Sequence, residues 1–224
     1  DLSEDIIICL LSLYKVLKET IIASQNIRFE GDGYSDEWKD EAARRGLTNI
    51  CHVPEAIMKF NDPQSRSVLI GEKIFNENEL NCRIEVELEK FTKKVQIESR
   101  VLGDLAINHI VPTAVIYQNR LLENLRGLKE IFSTEEYEEM TADRKDLVRE
   151  IQRRILSIKK AVHDMTEARK VANHLGSQVE KAFSYEEKVR PYLEEIREHI
   201  DSLELEIDDE IWPLPKYREL LFTK

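Results

Sequence analysis

The sequence is poor in the residues that tight turns require. Its 224 residues include only seven Gly and six Pro, about half the share found in typical globular proteins. An all-β sandwich or barrel contains many hairpins and needs more of these residues. No alternating strand pattern of useful length is present either. These absences exclude an all-β fold and favour helices.

Cysteine and long apolar runs are also scarce. Cys9, Cys51 and Cys82 are scattered without a Cys-x-x-Cys pair, which is typical of reduced cytosolic thiols. The only Cys–His adjacency, Cys51-His52, supplies too few ligands for a zinc site. The longest apolar run, Ile6 to Leu11, is far shorter than the roughly 20 residues that span a bilayer. We therefore expect a cytoplasmic protein without a membrane segment.

Positive charge is in deficit, with 33 Lys and Arg against 44 Asp and Glu, a formal net charge of −11. A field of that sign repels phosphate backbones and anionic membranes. Aromatic residues make up 7% of the chain and leave little surface on which bases could stack. We expect neither nucleic acid nor a membrane as a partner. The 42% of hydrophobic residues is nevertheless enough to build a core.

The first third of the chain predicts short helices separated by turns. Ser3 to Ala23 carries apolar residues at helical spacing, and Gly31-Asp32-Gly33 supplies a turn that tolerates positive φ. Ser35 is a good N-cap for a helix that Gly46 stops. Two further short helices are predicted to begin near Pro54 and Pro63.

Long helices are predicted from about residue 78 onward. Pro112 and Pro191 are expected to bend or divide two of them. The segment from Val101 to Tyr117 is apolar nearly all round, which predicts burial on most sides. The predicted long helices are Asn78–Ile110, Val115–Phe132, a helix from Ser133 to Gly176 and Gln178 to about Glu206. An extended tail, 208–215, and a short helix, 216–222, are predicted to follow.

The prediction is an all-α fold, an elongated antiparallel bundle of long helices with an irregular short-helix N-terminal third. Short connections near Ser133 and Gly176 make the long helices antiparallel neighbours. We divide the chain into a short-helix segment, 1–76, and a long-helix bundle, 77–224. Aspartate at Leu102 or Ile158, both on the predicted buried seams, should destabilise the bundle.

One polar cluster interrupts the apolar helix. Arg100, Asp104 and Asn108 are spaced by four and share one helix face, while His109 falls on the apolar seam. We interpret the cluster as a buried ion pair and a satisfied histidine that fix helix register. The alternative is a binding or catalytic constellation inside the bundle. No phosphate-binding loop, metal motif or catalytic motif occurs, so we assign no catalytic, cofactor-binding or metal residue.

Several strings resemble the C-terminal region of type III glutamine synthetases. They are ordered along nearly the whole chain, and each is several residues long. They run Asn26-Ile27-Arg28-Phe29-Glu30-Gly31-Asp32-Gly33-Tyr34-Ser35-Asp36-Glu37-Trp38, Gln96-Ile97-Glu98-Ser99-Arg100-Val101-Leu102-Gly103-Asp104, Tyr117-Gln118-Asn119-Arg120-Leu121 and Asp208-Asp209-Glu210-Ile211-Trp212-Pro213-Leu214.

The resemblance implies that the full-length protein makes glutamine from glutamate and ammonia, using ATP and a divalent metal, magnesium or manganese. It also implies a cytoplasmic homo-oligomer. In this family the metal ligands and ATP contacts lie upstream in a β-rich catalytic region, so no catalytic residue is carried over. The start at Asp1 without Met suggests a piece attached to that region. We expect this piece to be inactive alone and to contribute structure and oligomer contacts.

A free-standing acidic helical adaptor that binds partner proteins is the alternative hypothesis. It predicts a complete gene product that starts near Asp1. An upstream reading frame encoding a β-rich catalytic region would decide against it.

Overall fold

The computed structural model describes residues 4–221, and no strand occurs among them. The predicted all-α fold is confirmed. The chain divides between Cys51 and His52 into two compact units. The boundary predicted at residue 76 marks a different feature, the start of the long helices, and it stays a prediction.

The first unit contains α1 (Glu4–Ala23), a 3₁₀ turn (Gln25–Ile27) and α2 (Asp36–Arg44). Ser35 caps α2 as predicted, since its hydroxyl accepts a hydrogen bond from the backbone N–H of Trp38 at 3.2 Å. Gly46 follows α2 with a φ of 73°, the left-handed conformation that ends many helices. Ser3, the predicted start of α1, lies outside the described residues.

The loop before α2 is held by Arg45 and an aromatic pair. The Arg45 guanidinium donates to the carbonyl oxygens of Gln25, Asn26 and Arg28, at 3.4, 3.3 and 2.5 Å. The predicted turn is present, since the backbone N–H of Ser35 donates to the carbonyl oxygen of Asp32 at 3.1 Å, and neither Gly31 nor Gly33 has a positive φ. The rings of Phe29 and Trp38 lie 4.6 Å apart between centroids.

Two short helices and a 3₁₀ turn open the second unit. They are α3 (Val53–Met58), the turn Lys59–Asn61 and α4 (Pro63–Gly71). Pro54 and Pro63 lie in the first turns of α3 and α4, where a missing N–H costs no hydrogen bond. Both predicted helix starts are therefore present.

Three long helical segments form the bundle of the second unit. Asn76, Ser133 and Ser177 each begin one of them with a reciprocal capping box to a glutamate three residues on. Two of the segments contain a π turn, so their bounds are α5 (Glu77–Leu105), π turn Ala106–Ile110 and α6 (Val111–Ile131); α7 (Thr134–Asn173); and α8 (Gln178–Ser184), π turn Tyr185–Val189 and α9 (Arg190–Glu206).

Cross-helix hydrogen bonds establish the antiparallel order. Gln96 lies beside Asn173, and Gln118 donates to the carbonyl oxygen of Val148, so numbers rise along α5–α6 as they fall along α7. Arg154 of α7 lies beside His199 of α9 in the same sense. The predicted antiparallel packing of the long helices is thus observed within this unit.

The core of the bundle lies between these three segments, and most of its residues occupy the predicted seams. Ile158 and Leu203 are fully buried. The core members are Leu88, Phe91, Val95, Ala106, Ile110, Ala114, Ile151, Ile155, Ile158, Ala161, Met165, Ala172, Ala182, Tyr185, Val189, Ile196, Ile200, Leu203, Ile207 and Trp212.

The prediction that the segment from Val101 to Tyr117 is buried on most sides was wrong. Ala106, Ile110 and Ala114 are buried, whereas Val101 and Ile116 are each more than half exposed. The helix presents one face to the core and the other to the surface of this chain. Apolarity alone therefore overestimated the burial of its outer face.

The tail after α9 is compact, which corrects the extended segment predicted for 208–215. The backbone N–H groups of Ile211 and Trp212 both donate to the carbonyl oxygen of Asp208, forming a turn. Lys216 Nζ donates to the carbonyl oxygens of Glu204 and Ile207 and ties the tail to the end of α9. The helix that follows, α10, is Tyr217–Leu221, and the predicted last residue, Phe222, lies outside the described residues.

Candidate functional site

Two π turns interrupt the long helices, and each lies just before a proline. Ala106–Ile110 precedes Pro112, and Tyr185–Val189 precedes Pro191, with one residue between turn and proline in each case. Proline lacks an N–H and clashes with the preceding helical turn, so the wider π turn accommodates it without ending the helix. Because π turns are frequent at functional sites, their side chains are candidates for one.

The second π turn carries a buried tyrosine in a polar network. Tyr185 is fully buried, and its hydroxyl donates to Oδ1 of Asn173 at 2.8 Å. Gln96 Nε2 donates to the Tyr185 oxygen at 3.2 Å and to Asn173 Oδ1 at 3.3 Å. Burial raises the pKa of the Tyr185 phenol above its ordinary value. The network joins α5, α7 and the π turn at one level of the bundle.

Arg169 borders the same network. Its guanidinium donates to the Ser99 hydroxyl at 3.4 Å. Burial, and then the nearby positive charge of Arg100, lower the pKa of Arg169. Ser99 itself is fully buried and donates to the carbonyl oxygen of Gln96. These groups add polar contacts between α5 and α7 beside the tyrosine.

Glu186, the next residue of the π turn, places a buried carboxylate between the side chains of His52 and Arg190. Oε1 of Glu186 lies 2.8 Å from Nδ1 of His52, and Arg190 Nη1 donates to both carboxylate oxygens, at 2.9 and 3.1 Å. The Glu186 side chain is 5% exposed, whereas those of His52 and Arg190 are 61% and 43% exposed. The carboxylate accepts two hydrogen bonds from Arg190, whose charge compensates its loss of water, and His52 Nδ1 lies within hydrogen-bond distance.

This arrangement positions a segment of chain. His52 is the N-cap residue of α3 and the first residue of the second unit. Its bond to Glu186 fastens the start of α3 to the third helical segment of the bundle. A groove of about 380 Å³ lies alongside, lined in part by Val53, Lys94 and Arg190. The chemistry available here is charge pairing and orientation, since no nucleophile–base pair is present among these side chains.

The sequence-predicted cluster of Arg100, Asp104, Asn108 and His109 is exposed, and the burial predicted for it was wrong. Asn108 Nδ2 donates to Asp104 Oδ1 at 2.6 Å, so these two residues are brought together. Arg100 forms no ion pair with Asp104 in the part of the chain that the structure describes. All four residues are exposed, and Arg100 lies near Arg169 of α7. The structural role assigned to the cluster stays a prediction.

Sequence reasoning missed the residues that matter most at the π turn. Tyr185 and Glu186 lie between Phe183 and Val189 of the predicted seam and a few residues before Pro191, and no local pattern singles them out. Their partners Gln96 and His52 lie 89 and 134 positions away. No spacing rule connects residues that far apart, so only the packed bundle identifies the pairs.

No group of three or more His, Cys, Asp or Glu side chains that could hold a metal ion occurs within residues 4–221. Cys9, Cys51 and Cys82 are exposed, unpaired thiols. Cys51 Sγ lies 3.6 Å from Asn49 Oδ1, while the adjacent His52 engages Glu186. None of the helices described in these residues is both long and apolar enough to cross a membrane.

Comparison with known proteins identifies the family. Residues 12–129, just over half of the chain, match the model for the glutamine synthetase C-terminal domain. The chain belongs to that family. The resemblance to the C-terminal region of type III glutamine synthetases is confirmed.

Relatives extend the likeness over nearly the whole chain. A glutamine synthetase of Bacteroides fragilis (strain YCH46) is 76% identical over 213 residues, 95% of this chain and 29% of that protein. A type-3 glutamine synthetase of Dictyostelium discoideum is 27% identical over 94% of this chain, and a glutamine synthetase of Butyrivibrio fibrisolvens is 28% identical over 93%. The chain spans 29% of the length of each of these two relatives as well.

The family model and the relatives together cover the residues of both π turns. The residues matched to the glutamine synthetase C-terminal domain cover most of the first unit and the part of the second unit up to near the end of α6, and they contain His52 and Gln96. The relatives also span the second π turn with Tyr185 and Glu186, since they cover 93% to 95% of the chain. These comparisons give no support to the free-standing adaptor.

Proposed function

We propose that this chain is the helical C-terminal part of a type III glutamine synthetase that contributes structure and subunit contacts rather than catalytic residues. The full-length protein would form glutamine from glutamate and ammonia with ATP in the cytoplasm. The observation that carries this proposal is the 76% identity to a glutamine synthetase over 95% of the chain.

Magnesium or manganese and ATP are the cofactors that this proposal implies. The described residues do not fit them, since no converging set of metal ligands occurs in residues 4–221. Nor do residues 4–221 contain a strand that could lead into a glycine-rich phosphate loop. We therefore assign the nucleotide and metal site to the part of the polypeptide that lies outside this chain, and we derive no catalytic step from the residues present.

Helix α1 supports attachment to a larger protein. It is apolar on nearly every side, and such a helix is normally buried in the interior of a larger protein. Its large apolar side chains are each at least 46% exposed here, although burial of each would contribute about 1.5–3 kcal/mol. They are Ile6, Ile7, Ile8, Leu10, Leu11, Leu13, Tyr14, Val16, Leu17, Ile21 and Ile22. We propose that the upstream catalytic region of the same polypeptide covers them.

An activity assay tests the first part of the proposal. We expect the isolated 224-residue chain to form no glutamine from glutamate, ammonia and ATP with either metal, while the full-length gene product turns over. Turnover by the isolated chain would show that the chemistry was assigned to the wrong part of the polypeptide. An inactive full-length product, properly folded and supplied with metal, would contradict the proposed reaction.

Substitutions in α1 test the second part in the full-length protein. Leu10→Asp with Leu17→Asp should lower the melting temperature and weaken subunit assembly, because both side chains would enter an apolar interior. Lys18→Asp changes a charge on the same helix and is the matched control. Equal melting temperatures for both variants would mean that α1 stays exposed in the full-length protein.

A further inference from the structure

A basic groove with an apolar floor lies near the loop end of the α6–α7 hairpin. Its volume is about 330 Å³. Side chains from both helices form it, with apolar residues on the floor and cations along the rims. The lining residues are Leu122, Leu125, Arg126 and Lys129 of α6 and Tyr137, Lys145, Val148 and Arg149 of α7.

This end of the hairpin extends past the third segment of the bundle. Arg154 lies beside His199, and α9 continues only seven residues beyond, to Glu206. α7 continues twenty residues in the same direction, to Thr134. At 1.5 Å per residue the hairpin therefore reaches about 20 Å past the end of α9. The turn that follows α9 lies beside α6, where Asp208 pairs with Arg120 at 3.4 Å, but none of its residues lines the groove.

The groove is lined by positive charges, whereas the chain as a whole is negatively charged. Lys145 pairs with Glu138, and Arg149 pairs with Asp146, each at 2.6 Å. Arg126 and Lys129, one helical turn apart, have no hydrogen bond or ion pair to any residue that the structure describes. The groove thus carries two uncompensated positive charges in a chain of net charge −11. Such a site attracts an anionic surface, which the net negative charge of the chain would otherwise repel.

We propose that this groove binds an acidic amphipathic helix of a partner protein. The floor of Leu122, Leu125 and Val148 offers a narrow apolar strip, which suits apolar residues repeating every three or four positions. The uncompensated cations Arg126 and Lys129 lie on the α6 side of that strip, and acidic residues beside the partner's apolar stripe would face them. From Tyr137 to Arg149 the lining spans about 18 Å along α7, or three helical turns.

Two synthetic helical peptides test the proposal on the 224-residue chain. Both are 14 residues long with the same leucine stripe, and one carries Glu where the other carries Lys. We expect the Glu peptide to bind at least about tenfold more tightly by fluorescence anisotropy, and its affinity to fall as salt is raised. Equal affinities, or no binding of the Glu peptide, would overturn the proposal.

A charge exchange assigns the binding to the groove. Arg126→Glu with Lys129→Glu should lower the affinity for the Glu peptide at least about tenfold and raise the affinity for the Lys peptide. Lys159→Glu with Lys160→Glu, at exposed positions of α7 outside the groove, changes net charge equally and should leave both affinities unchanged. If both double variants changed the peptide affinities equally, the Glu peptide would not bind in this groove and the proposed site would be wrong.

Light scattering separates a partner protein from a second copy of this chain. The proposal expects the chain to show the same mass with and without the Arg126→Glu and Lys129→Glu changes. A wild-type dimer that these changes dissociate would show that a second copy occupies the groove, and the assignment to a partner helix would then be wrong. None of these experiments depends on glutamine formation.

Discussion

Nδ1 of His52 lies 2.8 Å from Oε1 of Glu186, although the two residues are 134 positions apart. The first residue of the second unit is thereby bonded to a π turn in the third helical segment. The carboxylate is buried, and both of its partners, His52 and Arg190, are substantially exposed. This asymmetry determines which substitutions should be costly.

Removing the partners of Glu186 should cost more than removing Glu186. His52→Ala with Arg190→Ala leaves a buried carboxylate unpaired and should lower the free energy of unfolding by about 3 kcal/mol. Glu186→Gln removes the charge that two substantially exposed side chains face and should cost about 1 kcal/mol. Urea denaturation measures both, with Arg197→Ala at an exposed ion pair as the control. Equal losses for the two variants would contradict the proposed asymmetry.

The buried Tyr185 phenol should make the protein less stable at high pH. Its folded-state pKa is raised, so folding favours the protonated form. The stability contribution of this phenol is full below the ordinary tyrosine pKa of about 10 and is lost as pH rises through the higher folded-state pKa. Tyr185→Phe should therefore flatten the decline of unfolding free energy in alkaline solution.

Tyrosine ionisation followed by ultraviolet absorbance provides a direct check. We expect a late step in the tyrosine ionisation of the folded protein, and Tyr185→Phe to remove that step. Tyr34→Phe, at a residue that is 95% exposed, is the control and should leave the late step in place. A late step that persists without Tyr185 would contradict its assignment.

The loss of stability caused by an aspartate substitution along the seams should increase with the burial of the replaced side chain. Ile158 is fully buried at the centre of the core, so Ile158→Asp should destabilise the bundle by several kcal/mol, on the order of an unpaired buried charge. Leu102 packs against the core but is only partly buried, so Leu102→Asp should cost less. Leu156→Asp, at a side chain that is 59% exposed, should change the melting temperature little. Any other order of melting temperatures would show that these three side chains are not buried to the degree that the structure indicates.

The capping box of α7 should contribute measurably to stability. Ser133→Ala removes the hydroxyl that accepts from the Glu136 N–H and donates to Glu136 Oε2, and should cost about 1 kcal/mol. Ser202→Ala removes a hydroxyl inside α9 instead, where alanine favours the helix, and should cost nothing. Comparable losses from both serines would mean that the cap adds little.

The same box makes a pH prediction. Hydrogen bonds from the Ser133 hydroxyl and then from its N–H lower the pKa of Glu136. Because the folded pKa is depressed, this contribution is present above the ordinary glutamate pKa and is lost as pH falls through the lowered value. The Glu136 pKa, measured by NMR, should rise in the Ser133→Ala variant. An unchanged value would mean that the two side chains do not bond in solution.

Local sequence signals predicted the helices and several of their ends. Ser35 and Ser133 cap helices as expected, and Pro54 and Pro63 lie in first turns. Apolar spacing also located the core residues of α7, such as Ile158. These features depend on residues within one or two helical turns of each other, so the sequence contains the whole interaction.

Prediction was weaker where the outcome depended on distant neighbours. Pro112 predicted an interruption of the helix but not the form of that interruption. The structure has a five-residue π turn, which keeps the helix packed on both sides of the proline. The polar cluster around Asp104 was expected inside the bundle and lies on its surface. Periodicity identifies apolar and polar faces, and it does not say which face meets another helix.

The sequence by itself determined that this protein is all-α, where most of its helices begin, and the glutamine synthetase family to which it belongs. Tertiary structure alone decided that Tyr185 meets Gln96 and Asn173, that Glu186 meets His52, and that four cations border an apolar groove near the α6–α7 loop. Helix formation depends on contacts three or four residues apart, whereas burial and charge pairing depend on which surfaces the fold brings together.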